Sequence, residues 1–220
     1  MPLMTEWIEE ATRLRYPYKF TWLGQPVIQF PADVVAIQEL LWEIKPEAVV
    51  ETGIAHGGSL LLHASILELI GGPGMVYGID IDIRPPNRHA IESHRLSHRI
   101  ELIEGSSVDP EVADRVWRKV TGRSPVMVIL DSNHSHDHVA RELELYTPLI
   151  GRGGYLVVGD TIIDDFPPGS FDRPWDQGNN PKTALRAFLQ HTDRFQRDLA
   201  IEDKLLMTCN PEGWLRCIQD

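Results

Sequence analysis

The hydrophobic positions of this 220-residue chain change rhythm twice. Residues 1–31 carry Trp7, Tyr16, Tyr18, Phe20, Trp22 and Phe30 among scattered prolines, with no long period. They read as a short helix followed by an extended arm, set before a second unit over residues 32–220. Such an arm packs on its own domain, reaches a neighbouring subunit or walls a pocket. From Pro31 the pattern becomes regular. Asp33 can cap a helix from Asp33 to Ile44, with apolar residues at Val34, Val35, Ile37, Leu40 and Leu41. Short, continuous, β-branched runs follow at Ala48–Glu51, Met75–Asp80, Ile100–Ile103, Val126–Asp131 and Tyr155–Asp160. Runs of this kind suit strands buried on both faces. They alternate with helical stretches at about Gly58–Leu69, Asn87–His94, Asp109–Val120 and Asp137–Tyr146. The alternation predicts an α/β fold with a doubly wound, mostly parallel sheet.

After Asp160 the rhythm breaks again. Thr161 to Pro181 is rich in Asp, Pro, Gly and Asn, and loops of this length are commonly lids or mobile segments. A helix is predicted over Pro181–His191, and strands over Phe195–Asp198, Lys204–Cys209 and Trp214–Ile218. The last two strands are expected as a C-terminal antiparallel hairpin turning at Pro211-Glu212-Gly213. The two cysteines, Cys209 and Cys217, would then face each other across that hairpin, as reduced, buried thiols.

Composition narrows the classes. With 42% hydrophobic and 24% charged residues the chain is neither disordered nor fibrous. Its 21 Lys+Arg against 32 Asp+Glu give a net charge of −11, which repels phosphate backbones and argues against nucleic acid as a partner. The longest apolar stretch, Leu60 to Ile70, is broken by His63, Ser65 and Glu68, so no membrane partner is expected. The N-terminus is acidic where a signal peptide would be basic, so a cytoplasmic protein is expected. The aromatic arm favours contact between subunits, so a homo-oligomer is expected as well.

The candidate chemistry sits at the carboxyl ends of the strands, where doubly wound sheets bind ligands. The first ends in Glu51-Thr52-Gly53-Ile54-Ala55-His56-Gly57-Gly58-Ser59. Glycines there let the backbone approach a ligand, and Gly58 and Ser59 open a helix. A dinucleotide loop needs a glycine where Ala55 stands. An acid at position 51 can reach the amino group of an amino-acid moiety, which suits S-adenosylmethionine better than a pyrophosphate. The second strand ends in Asp80 and Asp82, of which Asp80 is better placed to accept from both hydroxyls of a ribose. Ser106 and Ser107, after the third strand, can line an adenine pocket. His56 in the glycine loop can also face the pocket.

The fourth strand runs into Leu130-Asp131-Ser132-Asn133-His134-Ser135-His136-Asp137-His138, and the fifth ends in Gly159-Asp160-Thr161. Neighbouring strands thus bring Asp131 and Asp160 to one edge. Paired carboxylates call for a cation or a shared proton, and hard oxygen ligands favour Mg²⁺. His134 lies about one turn beyond Asp131 and suits a general base. His136 and His138 are expected on the first turn of the next helix. The same run is one residue short of the H-x-H-x-D-H ligand pattern of metallo-β-lactamase hydrolases, and it closes a strand of the wrong kind of sheet for that reading.

These strand-end motifs, with Trp22-Leu23-Gly24-Gln25-Pro26 and Asn210-Pro211-Glu212-Gly213-Trp214-Leu215, resemble the cephalosporin hydroxylase family over roughly residues 15–218. Despite its name, that family comprises class I S-adenosylmethionine-dependent methyltransferases, with a Rossmann-like sheet closed by an antiparallel hairpin. Within it the metal site is similar to that of catechol O-methyltransferase and of macrolide-sugar O-methyltransferases. The resemblance implies Asp131 and Asp160 as metal ligands and His134 as base. It also implies Glu51 and the Gly53 loop for the methionine part of the cofactor, and Asp80 for its ribose. Related members carry a Glu-Asp pair at the end of the fifth strand, where this chain has Gly159. Thr161, Asp164 or Asp165 could supply the missing ligand. The reading is therefore Mg²⁺-assisted O-methylation of a small hydroxylated acceptor, a natural product or sugar. The alternatives are a non-catalytic cofactor-binding accessory of an oxidative tailoring system and an NAD(P)-dependent oxidoreductase. Ala55 and the hairpin disfavour the second.

Overall fold

The computed structural model describes residues 2–220; Met1, the first residue of the expected arm, lies outside the described residues. The arm is more ordered than its sequence texture suggests. Helix α1 spans Pro2–Arg13, a 3₁₀ turn spans Tyr16–Lys19, and β1 (Phe20–Trp22) pairs antiparallel with β2 (Gln25–Val27). Helix α2 runs from Pro31 to Ile44, with Phe30 at the N-cap position. Asp33 is therefore inside the first turn rather than at the cap. It is buried, and its carboxylate accepts a hydrogen bond from the Cys209 N–H at 2.9 Å.

The main sheet has seven strands. They are β3 (Ala48–Thr52), β4 (Met75–Asp80), β5 (Ile100–Glu104), β6 (Val126–Leu130), β7 (Tyr155–Val158), β8 (Phe195–Arg197) and β9 (Trp214–Cys217). Their order is β5-β4-β3-β6-β7-β9-β8, parallel except where β9 pairs antiparallel with both β7 and β8. This is the predicted doubly wound, mostly parallel sheet with an antiparallel C-terminal pair, and it matches a class I methyltransferase fold. The pair is not the one predicted. Lys204–Cys209 is no strand: helix α8 occupies Leu199–Lys204, and the following residues are irregular. The Asn210–Gly213 turn forms, with the Gly213 N–H donating to the Asn210 carbonyl at 2.9 Å, but it leads into β9 alone. Cys217 therefore lies opposite Phe195, Cys209 sits elsewhere beside Asp33, and both thiols are free.

The sheet is covered on both sides, which explains the continuous apolar strands. Helices α5 (Pro110–Val120), α6 (His136–Tyr146) and α7 (Pro181–Leu189) pack on one face through Val116, Leu143 and Leu185, against Val50, Val128 and Val158. Helices α2 and α3 (Gly58–Ile70) cover the other through Leu40, Leu41, Leu60 and Leu61, against Val49, Ile129 and Val157. Each fully buried Leu, Ile or Val contributes about 1.5–3 kcal/mol of transfer free energy. Strand alternation then fixes the site: the pleat that turns Val49 towards α3 turns Glu51 the same way. Helix α4 (Pro85–Glu92) follows β4 and adds Ile91 to this second layer.

Strand order reverses between β3 and β6, the switch point at which such sheets bind ligands. The two strand ends nearly touch there. A Cβ built on Gly53 would lie 2.1 Å from the Asp131 carbonyl oxygen and 2.6 Å from Ser132 Cα, and Gly53 has φ +80°. Only glycine lets β6 end this close to β3. Gly53→Ala is expected to cost on the order of 2–4 kcal/mol, from backbone overlap together with an unfavourable φ. Chemical denaturation checks this, and a loss below about 1 kcal/mol would show that the strand ends separate freely.

Candidate functional site

Four acids reach the carboxyl edge, each held by a different local device. Glu51 is 2% exposed; its carboxylate accepts from the Ser59 hydroxyl and pairs with His63 Nε2 at 2.6 Å. His63 is fully buried on the second turn of α3, and its Nδ1 has no partner among the described residues. Asp80 accepts from the backbone N–H of Ile54 at 3.0 Å and of Asp82 at 3.1 Å, so it ties the glycine loop to the end of β4. Asp131 follows β6, and its own N–H donates to the Thr52 carbonyl at 3.0 Å. Asp160 sits in left-handed backbone, φ +50°, between β7 and a 3₁₀ turn over Thr161–Asp165. A non-glycine residue there is strained and persists only where its surroundings hold it. The Asn210 side chain does so, accepting from the Asp160 N–H at 2.9 Å.

Asp131, His134 and Asp160 come together. Each offers a ligand atom, and these atoms all lie within 4.8 Å of one another. His134 Nε2 is 3.4 Å from Asp160 Oδ2, and its ring meets Trp175 edge-on at 4.9 Å between centroids. Among the described residues, no lysine or arginine pairs with either carboxylate. Burial, and then the neighbouring Asp160 charge, push the Asp131 carboxyl well above the usual carboxylate range. Two hard oxygen donors with their repulsion left unbalanced fit a divalent cation, and the His134 imidazole stands beside them.

The site corrects several expectations about ligands. The Thr161 hydroxyl donates to the Pro211 carbonyl at 2.7 Å, in a fully buried position that lines neither cavity. Asp164 accepts from Asn180 and Gly178, and Asp165 pairs with buried Lys182 at 2.5 Å. None of the three joins the carboxylate pair. Gly159 offers no ligand, and it leaves space beside the Asp131 carboxylate. A Cβ there would stand 2.7 Å from Asp131 Oδ1 and 3.0 Å from its Cγ. The histidine run also disperses, which removes the hydrolase pattern. His136 Nδ1 bonds the Thr183 hydroxyl at 2.8 Å, and His138 joins Ser107, Ser132 and the fully buried Glu142.

Two cavities meet at the cluster. One, of about 290 Å³, is lined by Glu51, Gly53, His56, Gly58, Ser59 and Asp80, as expected of a cofactor pocket. Ser106, Ser107 and Asp82 do not line it. Asp82 is largely exposed, and Ser107 is turned into the His138 network. The other, of about 280 Å³, has apolar walls from the arm (Ile8, Phe30) and from the segment after β7 (Phe166, Phe171, Trp175). Asp131, His134 and Asp160 line both cavities. The arm thus walls a pocket of its own chain. Sequence reading missed Gln29, Asp33 and Asn210, which also line the second cavity. Only their polarity beside apolar neighbours could have marked them. Burial pushes the Asp33 carboxyl up to about 7.

Comparison with known proteins agrees with the fold and the motifs. The family model described as Rhamnosyl O-methyltransferase/CmcI matches residues 14–218. The rhamnosyl O-methyltransferase of Mycobacterium tuberculosis (strain ATCC 25618 / H37Rv) is 32% identical over 203 residues, covering 90% of this chain and 78% of that protein. The protein of that name from Mycobacterium leprae (strain TN) is 32% identical over 202 residues, covering 89% and 82%. A solved structure of CmcI with Mg and SAM superposes with a TM-score of 0.65 at 19% identity, over 91% of this chain and 77% of that one.

Two outcomes are expected. Gly159→Ala forces the Asp131 carboxylate to move, and should weaken Mn²⁺ binding at least several-fold by calorimetry. Unchanged affinity would mean that the pair tolerates a side chain there. Asp33 binds its proton more tightly folded, at about 7, than unfolded, near 3.9. The native chain should therefore lose stability relative to Asp33→Asn as pH rises from about 4 to about 7, by on the order of 2–4 kcal/mol. Denaturation in EDTA across that range reads it, and a pH-independent difference would contradict the buried carboxyl.

Proposed function

The chain belongs to the rhamnosyl O-methyltransferase/CmcI family, and from that premise we propose that it transfers a methyl group from S-adenosylmethionine to a hydroxyl of a small glycosyl-bearing acceptor, with Mg²⁺ at the carboxylate pair. One observation carries the reading. The only cluster of potential metal ligands among the described residues stands where two cavities join, one edged by acids and glycines and the other walled by aromatic rings. A transferase needs that arrangement, because donor and acceptor must meet at a shared point in line. The accessory-protein and NAD(P)-oxidoreductase readings gain no support from the family.

In the donor cavity, Glu51 would take the amino group of the methionine part. Ser59 and His63 hold its oxygens in place, which limits the reorganisation that binding requires. Asp80 keeps lone pairs free beside its two backbone bonds and would accept from the ribose hydroxyls. Asp131 and Asp160 would hold the cation. When bound, S-adenosylmethionine supplies an electrophilic methyl and Mg²⁺ supplies charge that lowers the pKa of a nearby hydroxyl. His134 would take the acceptor's proton on Nε2, with Asp160 beside it to stabilise the resulting positive ring and Trp175 fixing the ring's tilt. Phe166, Phe171 and Trp175 would keep water from the reacting atoms.

Purified protein with labelled S-adenosylmethionine and p-nitrophenyl α-L-rhamnoside tests this directly. Label should pass to the glycoside, fall at least about tenfold in EDTA and return with Mg²⁺. His134→Gln should lower kcat by roughly 10²–10⁴ while leaving Mn²⁺ affinity unchanged. Lost Mn²⁺ affinity would instead make His134 a ligand. Full turnover in EDTA would remove the cation but not the transfer, and failure of label to reach any hydroxylated acceptor would overturn the reading.

A further inference from the structure

Ala55 stands where a dinucleotide loop would carry glycine, and it adopts a glycine's conformation. Its φ is +44°, between Gly53 at +80° and Gly57 at +83°. Glycine enters that left-handed region at no steric cost, whereas alanine is strained there and persists only where its surroundings hold it. The hold comes from helix α4, an element that the transfer chemistry does not use. Asn87 Nδ2 donates to the Ala55 carbonyl at 2.9 Å. One turn further along the same face of α4, Ile91 packs over Gly57, where a Cβ would lie 2.4 Å from Ile91 Cδ1. Asn87 is the third residue of this helix, after Pro85 and Pro86, whose fixed φ values stiffen its start.

Three successive loop residues are thus held by the unit that β4 and α4 form. The Gly53 N–H donates to the Ile79 carbonyl at 2.8 Å, the Ile54 N–H to the Asp80 carboxylate at 3.0 Å, and the Ala55 carbonyl accepts from Asn87. All three line the donor cavity, and Asn87 lines neither cavity. Resting on the function proposed above, we infer that Asn87 is a positioning residue for the methyl donor, which holds Ala55 in left-handed backbone before the donor arrives. Without that bond Ala55 relaxes out of the strained region, and only a fraction of molecules keeps the loop that the donor fits. Apparent affinity falls by that fraction. A glycine at this position would reach the same φ freely but would also leave it freely, whereas Ala55 clamped by Asn87 keeps one conformation.

Calorimetry with S-adenosylhomocysteine on the purified protein tests this. Asn87→Leu should weaken binding about threefold to tenfold, the range that one lost hydrogen bond spans. Ala55→Gly alone should stay within about twofold of native, since glycine tolerates this φ. In the Ala55→Gly background, Asn87→Leu should cost less than about twofold, because the strain that Asn87 opposes is gone. Asn87→Asp suits the first turn of a helix but cannot donate to a carbonyl, so it should weaken binding as Asn87→Leu does while keeping α4 folded. An equal loss from Asn87→Leu in the native and Ala55→Gly backgrounds would overturn the inference, as would native affinity in Asn87→Asp. Failure of S-adenosylhomocysteine to bind the native protein would overturn the inference and the transferase reading together. Coupling between the two positions without methyl transfer to any acceptor would uphold the inference and overturn the transferase reading. Methyl transfer without coupling would do the reverse.

Discussion

Uncompensated negative charge at one edge of the sheet is the constraint on which the rest of this structure depends. Asp131 and Asp160 end adjacent parallel strands, and no lysine or arginine among the described residues answers them. Glu51 and Asp80 end the strands on the other side of the switch point, and their partners are likewise an imidazole, a hydroxyl and backbone N–H groups. Hydroxyl and backbone N–H donors hold a carboxylate in place without adding a full positive charge. The edge therefore keeps a negative potential that a sulfonium and a divalent cation would satisfy together. Lys182 and Arg216 are spent elsewhere, on Asp165 and Asp198, and Arg173, which lines the second cavity, lies over the Trp175 ring and pairs with neither carboxylate.

Holding like charges this close places demands on the backbone. Gly53 allows β6 to end against β3, Gly159 leaves room for the Asp131 carboxylate, and Asp160 adopts left-handed backbone that Asn210 stabilises. Of Gly53, Gly159 and Asp160, only Asp160 brings a side chain to the cluster. They are the geometric conditions under which the carboxylates converge. The segment after β7 and the N-terminal arm then close the site from outside. Ile8, Ala11 and Phe30 pack with Ile162 and Phe166, so the arm and the lid share one small core and shape the second cavity jointly.

The sheet and its acidic edge were legible in the sequence because both follow from local rules. Continuous β-branched runs mark strands buried on both faces, and the residue that ends such a run falls at the ligand-binding edge whatever the helices do. What failed depends on contacts between distant segments. Lys204–Cys209 carries an apolar run like a strand, yet Asp198 caps a helix through the Ile201 N–H that ends at Lys204, and the residues after it are irregular. Asp33 looks like a helix cap, but the chain near Cys209, about 175 residues away, gives it a different partner. Thr161 is adjacent to Asp160 in sequence, but its hydroxyl is turned to the Pro211 carbonyl, a partner about 50 residues away. Gly159 offers no side chain to a cation, as the sequence indicates, and the structure adds that it leaves room for the Asp131 carboxylate.

The same spatial argument explains why the acceptor side is harder to read than the donor side. The acids of the first cavity come from the ends of strands β3, β4, β6 and β7, each at the close of a β-branched run, although the arm from Tyr18 to Gln29 walls part of it. The acceptor cavity draws Gln29 and Asp33 from the arm junction, Phe166 to Trp175 from the lid, and Asn210 from the approach to β9. These segments meet only because the antiparallel C-terminal strand brings the end of the chain back beside β7. The second cavity is thus a product of the tertiary closure, while the acids of the first belong to the sheet itself; the arm takes part in both, since Tyr18, Ile28 and Gln29 line each of them.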